Sequence, residues 1–121
     1  MRVLTVRIED DTDFFARAQE MARQVDAGAG YQGEDHSFAT LTQLFETFSP
    51  KRWALIQKLQ TLGPSSLRGL ARALGRDVKR VHEDAAVLLA EGIIERNEAK
   101  KLFVPFDNIH IDVDLKASAA A

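Results

Sequence analysis

The chain has 121 residues, 45% of them hydrophobic, and a formal net charge of −2. That length and composition fit one domain, or one domain with an extension, and can bury a core without covalent staples. The absence of cysteine excludes a disulfide framework and a thiolate metal site, and no run of about 20 apolar residues is present to span a bilayer. The N-terminus has no apolar stretch of signal-peptide length, so the expectation is a cytoplasmic chain with no membrane partner.

The net charge hides an asymmetry. Residues 1–48 carry a net of −5, residues 49–82 a net of +7, and residues 83–121 a net of −4. Phosphate binding needs a local basic surface, not a basic protein. The middle block is therefore a candidate nucleic-acid face. A solvated basic helix face has the same composition, and charge alone does not separate the two.

In chain order, Arg2–Ile8 predicts a strand, with Leu4, Val6 and Ile8 on one face. Asp11 or Thr12 is placed to cap a helix over Asp13–Val25. Phe14, Phe15, Ala18, Met21, Ala22 and Val25 share one side of that helix. Two adjacent phenylalanines need a cover, either a partner or the chain's own following domain. Asp26–His36 holds three glycines and reads as a loop, with Tyr31 exposed in it.

Ser37–Ala39 reads as extended. Thr40 and Gln43 form a capping-box pattern ahead of a short helix with Leu41, Leu44, Phe45 and Phe48 inward. Ser49-Pro50 starts the next helix, which runs to about Leu62 and buries Trp53, Leu55, Ile56, Leu59 and Leu62. Gly63-Pro64 stops it.

Ser65 or Ser66 caps a helix over Leu67–Leu74, with Leu67, Leu70, Ala71 and Leu74 inside and Arg68 and Arg72 outside. Gly75 ends it and Asp77 caps the next helix, which runs from Val78 to about Glu91. Val78, Val81, Ala85 and Leu88 face the core. Lys79, Arg80, His82, Glu83 and Ala86 are left exposed. Lys and Arg can donate to guanine, and Glu can accept from cytosine; phosphate contact alone is the other option for each. Glu83 and Asp84 also read as plain surface charges.

Ile93–Glu95 and Leu102–Val104 then read as a hairpin, with Arg96, Lys100 and Lys101 near its tip. Ile109, Ile111, Val113 and Leu115 alternate with His110, Asp112 and Asp114, the pattern of a half-buried strand. Its natural partner is Arg2–Ile8, of the same chain or of a second copy. The terminal KASAAA is expected to fray.

The order of three helices and a hairpin is that of a winged helix-turn-helix. The stretch PSSLRGLARALGRDVKRVHEDAAVLLAEGIIER, with its LxxLAxxLGxxxxxVxxxxxxLxxxGII pattern, resembles prokaryotic regulators of the broad MarR-like type. The resemblance covers roughly half of the chain. It implies a mainly α fold with small β elements (α+β), in which residues 37–106 form the DNA-binding domain. Residues 1–36 and 107–121 are then a strand-helix extension and a C-terminal strand, a platform for a dimer or partner. The usual Ser/Thr-rich opening of the recognition helix is replaced here by Asp77-Val78-Lys79-Arg80.

The expected DNA-contacting residues are Ser65, Ser66, Arg68, Arg76, Lys79, Arg80, His82, Glu83, Arg96, Lys100 and Lys101. The expected function is a homodimeric DNA-binding regulator, a repressor of its own operon, with double-stranded DNA as partner. The full chain, with its N-terminal VLTVRIED strand and its FSPKRW entry, resembles a group of small transcriptional regulators, some of which resemble antitoxins. The −5 balance of residues 1–48 motivates a competing role, a protein-interaction module or antitoxin whose acidic N-terminal region grips a basic, toxin-like protein. An enzyme is disfavoured: there is no nucleophile–base pair, phosphate-cradling glycine loop or metal cluster in the sequence. No cofactor is expected, and His36, His82 and His110 lack paired ligand spacing.

Overall fold

The computed structural model describes residues 1–30, 33–115 and 117. Tyr31 and most of the terminal KASAAA lie outside the described residues. The fold mixes α and β elements and divides into two compact units, Met1–Gln43 with Asn108–Ala121, and Leu44–Asp107.

The first unit is a parallel sheet. Its strands are β1 (Val3–Ile8), β2 (Glu34–Phe38) and β5 (Asn108–Asp112), in the order β2-β1-β5. Both neighbours of β1 run parallel to it. The helix α1 (Asp11–Asp26) connects β1 to β2, as a parallel crossover requires. Asp10 caps α1 by accepting from the Asp13 N–H at 2.7 Å, one residue earlier than the sequence suggests. Leu4 and Val6 are buried, and their registry with Ile109 and Ile111 sets the apolar residues of two strands on one face. The terminal strands thus pair within the chain.

One sequence expectation fails in this unit. The stretch read as a loop up to His36 contains β2 from Glu34 onward. Its residues, EDHSF, carry no apolar alternation. Charge complementarity supports the pairing: Arg2 binds Glu34 at 2.6 Å and Arg7 binds Asp35 at 2.9 Å. The cover expected for the phenylalanines of α1 is not supplied within this unit. None of the helix's residues is buried; Phe14 is 43% and Phe15 64% exposed. The helix is tied down through charge instead: Arg17 bonds Glu9 and Asp35, and Ser37 donates to Glu9.

The hydrogen bond from Arg17 holds the Glu9 carboxyl below its ordinary value of 4.5, against the opposing effect of burial, with Ser37 and the Arg17 and Arg7 charges adding to it. A depressed carboxylate contributes stability above its unfolded value and loses it as pH falls through the folded one. Amide protection across the β1–β2 ladder, relative to the intrinsic exchange rate at each pH, should fall as the pH drops below 4.5. Glu9→Gln should remove that acid step and cost about 1 kcal/mol near neutrality.

The second unit holds the end of α2 (Leu41–Thr47), then α3 (Pro50–Leu62), α4 (Leu67–Leu74), α5 (Val78–Ala90) and the antiparallel pair β3 (Glu95–Arg96) with β4 (Leu102–Phe103). Each helix is punctuated locally. Ser49, Ser66 and Asp77 cap α3, α4 and α5 by accepting from Arg52, Gly69 and Arg80 N–H. Gly75 ends α4 at φ 65°, with Gly75 N–H donating to Arg72 and Arg76 N–H to Ala71. That is the pair of bonds that a left-handed residue makes possible at a helix end. Gly92 does the same for α5, at φ 75°.

The core of this unit is Leu44, Phe48, Leu55, Ile56, Leu59, Leu70, Ala71, Val81, Ala85, Leu88, Ile93, Ile94, Leu102 and Phe106, all buried. Trp53 is half-buried and stacks on Phe48 with ring centroids 4.5 Å apart. Three expected core residues are exposed: Phe45 by 60%, Leu62 by 46% and Val78 by 40%. Leu62 and Val78 are the last and first residues of their helices, where the apolar stripe runs past the end of the packed contact.

Candidate nucleic-acid interface

The turn between α4 and α5 is Gly75-Arg76-Asp77. It is short because Gly75 reverses the chain and Asp77 restarts it. Val81, Ala85 and Leu88 hold α5 into the core, so the spacing of the helix turns Lys79, Arg80, His82 and Glu83 to solvent, and all four are exposed. Val78 joins them, against expectation. Arg68 and Arg72 on α4 are exposed as well.

The hairpin tip is fixed by Asn97. Its backbone N–H donates to the Lys101 carbonyl, its carbonyl accepts from Lys100 N–H, and its side chain accepts from Lys101 N–H at 2.9 Å. Lys100 takes the left-handed conformation, φ 63°. Arg96, Lys100 and Lys101 are exposed, and Arg96 donates to the Lys100 carbonyl at 3.3 Å.

Two residues expected on the contact face are committed to the fold. Ser65 forms a β-bridge with Leu102, giving and accepting backbone bonds at 2.9 and 2.8 Å, and its hydroxyl donates to the Gly63 carbonyl. It therefore joins the α3–α4 connection to the hairpin. Arg76 turns inward: its Nη2 donates to Asp84 at 2.7 Å. Ser66 is exposed but serves as the α4 cap.

Asp84 is the residue whose role the sequence concealed. It sits on α5 beside buried Ala85, with a side chain only 15% exposed, and accepts from both Arg76 and Arg52. Arg52 also donates to the Glu46 and Thr47 carbonyls that end α2. One carboxylate thus ties together the start of α3, the interhelical turn and α5. Its position on the shoulder of the α5 apolar stripe was the available signal. Arg76 Nη1 is buried without a hydrogen-bond partner, so the cluster holds two cations against one anion.

Chemically, the exposed set is rich in cationic donors. Arg68, Arg72, Lys79, Arg80, Arg96, Lys100 and Lys101 can neutralise phosphates, and the first turns of α5 carry side chains able to donate to or accept from base edges. No helix among the described residues is long and apolar enough to cross a membrane. The HVO_A0114 family model matches residues 47–111, which takes in α3, α4, α5, the hairpin and most of β5. No curated protein and no solved structure matches the chain.

Proposed function

The chain belongs to the HVO_A0114 family, and with that as premise we propose that it is a sequence-specific DNA-binding regulator built on a MarR-like winged helix-turn-helix. The single observation that carries it is the solvent-facing N-terminal half of α5, where Lys79, Arg80, His82 and Glu83 stand exposed behind a three-residue turn. In a helix-turn-helix this half of the second motif helix enters the major groove. The hairpin is then the wing, whose Arg96, Lys100 and Lys101 contact the backbone or the minor groove. Ser65 and Arg76 support the surface from within.

The regulator acts as a homodimer and represses its own operon. A two-fold dimer reads a palindrome with half-sites about one helical turn apart. The test is a gel shift with the DNA upstream of the chain's own gene, in the presence of competitor DNA. Specific retardation is expected, with log affinity falling against log salt by about 0.9 per phosphate contacted. Equal affinity for competitor and upstream DNA would overturn specific recognition.

A second reading has its own observation. The unit of residues 1–43 and 108–121 carries 5 basic and 10 acidic side chains and exposes Phe14 and Phe15. An acidic surface with apolar anchors suits a basic protein partner, as an antitoxin would need. Co-purification of such a partner, in the absence of any DNA shift, would favour this role over the first.

A further inference from the structure

The edge of the three-stranded sheet points to an occupant: we propose that β5 pairs antiparallel with β5 of a second copy of this chain, in a register centred on Ile111. This deepens the homodimer part of the proposed function and rests on it, and it is independent of the DNA contacts.

In the order β2-β1-β5 the strand β5 is an edge. Its ladder with β1 ends at Asp112, opposite Arg7, yet the apolar alternation runs on through Val113 and Leu115. Ile111 is 37% and Leu115 89% exposed. An edge strand offers unpaired N–H and C=O groups to another chain, and proteins that avoid this keep the strand very short or place charges (above all Lys), Pro or a bulge there. Residues 108–115 contain no Lys and no Pro.

Side-chain complementarity selects the second copy and the register. Two identical antiparallel strands meet about a two-fold axis, so each pair occurs twice. With Ile111 opposite Ile111 of the second copy, Ile109 meets Val113 and His110 meets Asp112. Asn108 meets Asp114. The apolar pairs share one face and the His–Asp pairs the other. Centring on Asp112 sets that carboxylate against its own copy. Centring on Val113 sets Asp112 against Asp114 twice, and centring on His110 sets Val113 against Asp107. Like charges directly opposite each other destabilise a strand pair. The Ile111 register is free of such conflicts over residues 108–114, and Asp112, already bonded to Arg7 at 3.4 Å, retains an oxygen for His110 of the other copy.

The native chain has no cysteine, so a single introduced thiol reports cleanly. Full-length Ile111→Cys, concentrated and treated with mild oxidant or a short bis-maleimide, should convert to a covalent dimer, while Phe15→Cys on α1 stays monomeric. His110→Asp should weaken self-association about tenfold in sedimentation, because it sets two like-charge pairs across the axis, and His110→Lys should restore it. A dimer that links through the Phe15→Cys position and not through Ile111→Cys overturns this interface while leaving a homodimer standing. A wild-type chain that is monomeric at its highest soluble concentration and on its DNA overturns both. Loss of DNA binding in Lys79→Ala with the Ile111→Cys link intact leaves the strand pairing in place.

Discussion

Replacing Lys79 and Arg80 together by alanine should lower affinity for the upstream DNA by about 100-fold, each contact being worth about 1–2 kcal/mol. Both side chains are exposed on the first turn of α5, and the core stripe of Val81, Ala85 and Leu88 is untouched by the change. Circular dichroism and thermal unfolding should therefore match the wild type. The effect should also fall unevenly across sequences. A residue that donates to a base relaxes discrimination at one position, whereas one that touches only phosphate weakens all sequences alike. Arg68→Ala and Lys101→Ala belong to the second kind; each should reduce the salt slope by about 1 without changing which site is preferred. If the double variant binds as tightly as the wild type, α5 is not the contacting surface and the proposed function fails with it.

The second unit was legible in the sequence because its signals are local. Ser49-Pro50, Ser66, Gly75 and Asp77 act within a few residues of themselves, and each performs in the structure the capping or stopping role its type predicts. The buried stripe Leu70, Ala71, Val81, Ala85, Leu88 follows from helical spacing alone. The first unit was less legible because its signals are long-range. EDHSF becomes a strand only beside β1, with Arg2 and Arg7 bonded to Glu34 and Asp35. Apolar spacing along the chain carries no trace of charges that meet 28 residues apart. Helix α1 is anchored by Arg17 through Glu9 and Asp35 while Phe14 and Phe15 remain exposed, an anchorage through charge that apolar spacing does not register. For the candidate surface the same division holds. Exposure of Lys79 and Arg80 followed from the stripe behind them. The inward turn of Arg76 did not, since it depends on Asp84 eight residues away.

Asp84→Ala should be the most damaging single polar substitution in the second unit, lowering stability by about 3 kcal/mol. The carboxylate accepts from Arg52 at 3.1 Å and from Arg76 at 2.7 Å, with all three side chains at most 20% exposed. Removing it leaves two guanidinium groups facing each other with little water to screen them. Arg76 is the worse placed, because its Nη1 already lacks a partner. Arg76→Ala should be milder, about 1 kcal/mol, since Asp84 keeps Arg52 and a buried unsatisfied donor disappears with the side chain. The asymmetry between the two substitutions is the signature of a carboxylate holding two cations; a simple surface pair would give equal and small losses. Urea unfolding followed by tryptophan fluorescence reads this directly, since Trp53 is the single tryptophan and stacks on Phe48 within the same unit. A double-mutant cycle on Asp84 and Arg52 should give a coupling of about 1–2 kcal/mol. An Asp84→Ala chain as stable as the wild type would mean that the cluster is solvated. The orientation of α5 against α3 would then rest on Leu55, Ile56, Val81 and their apolar neighbours alone.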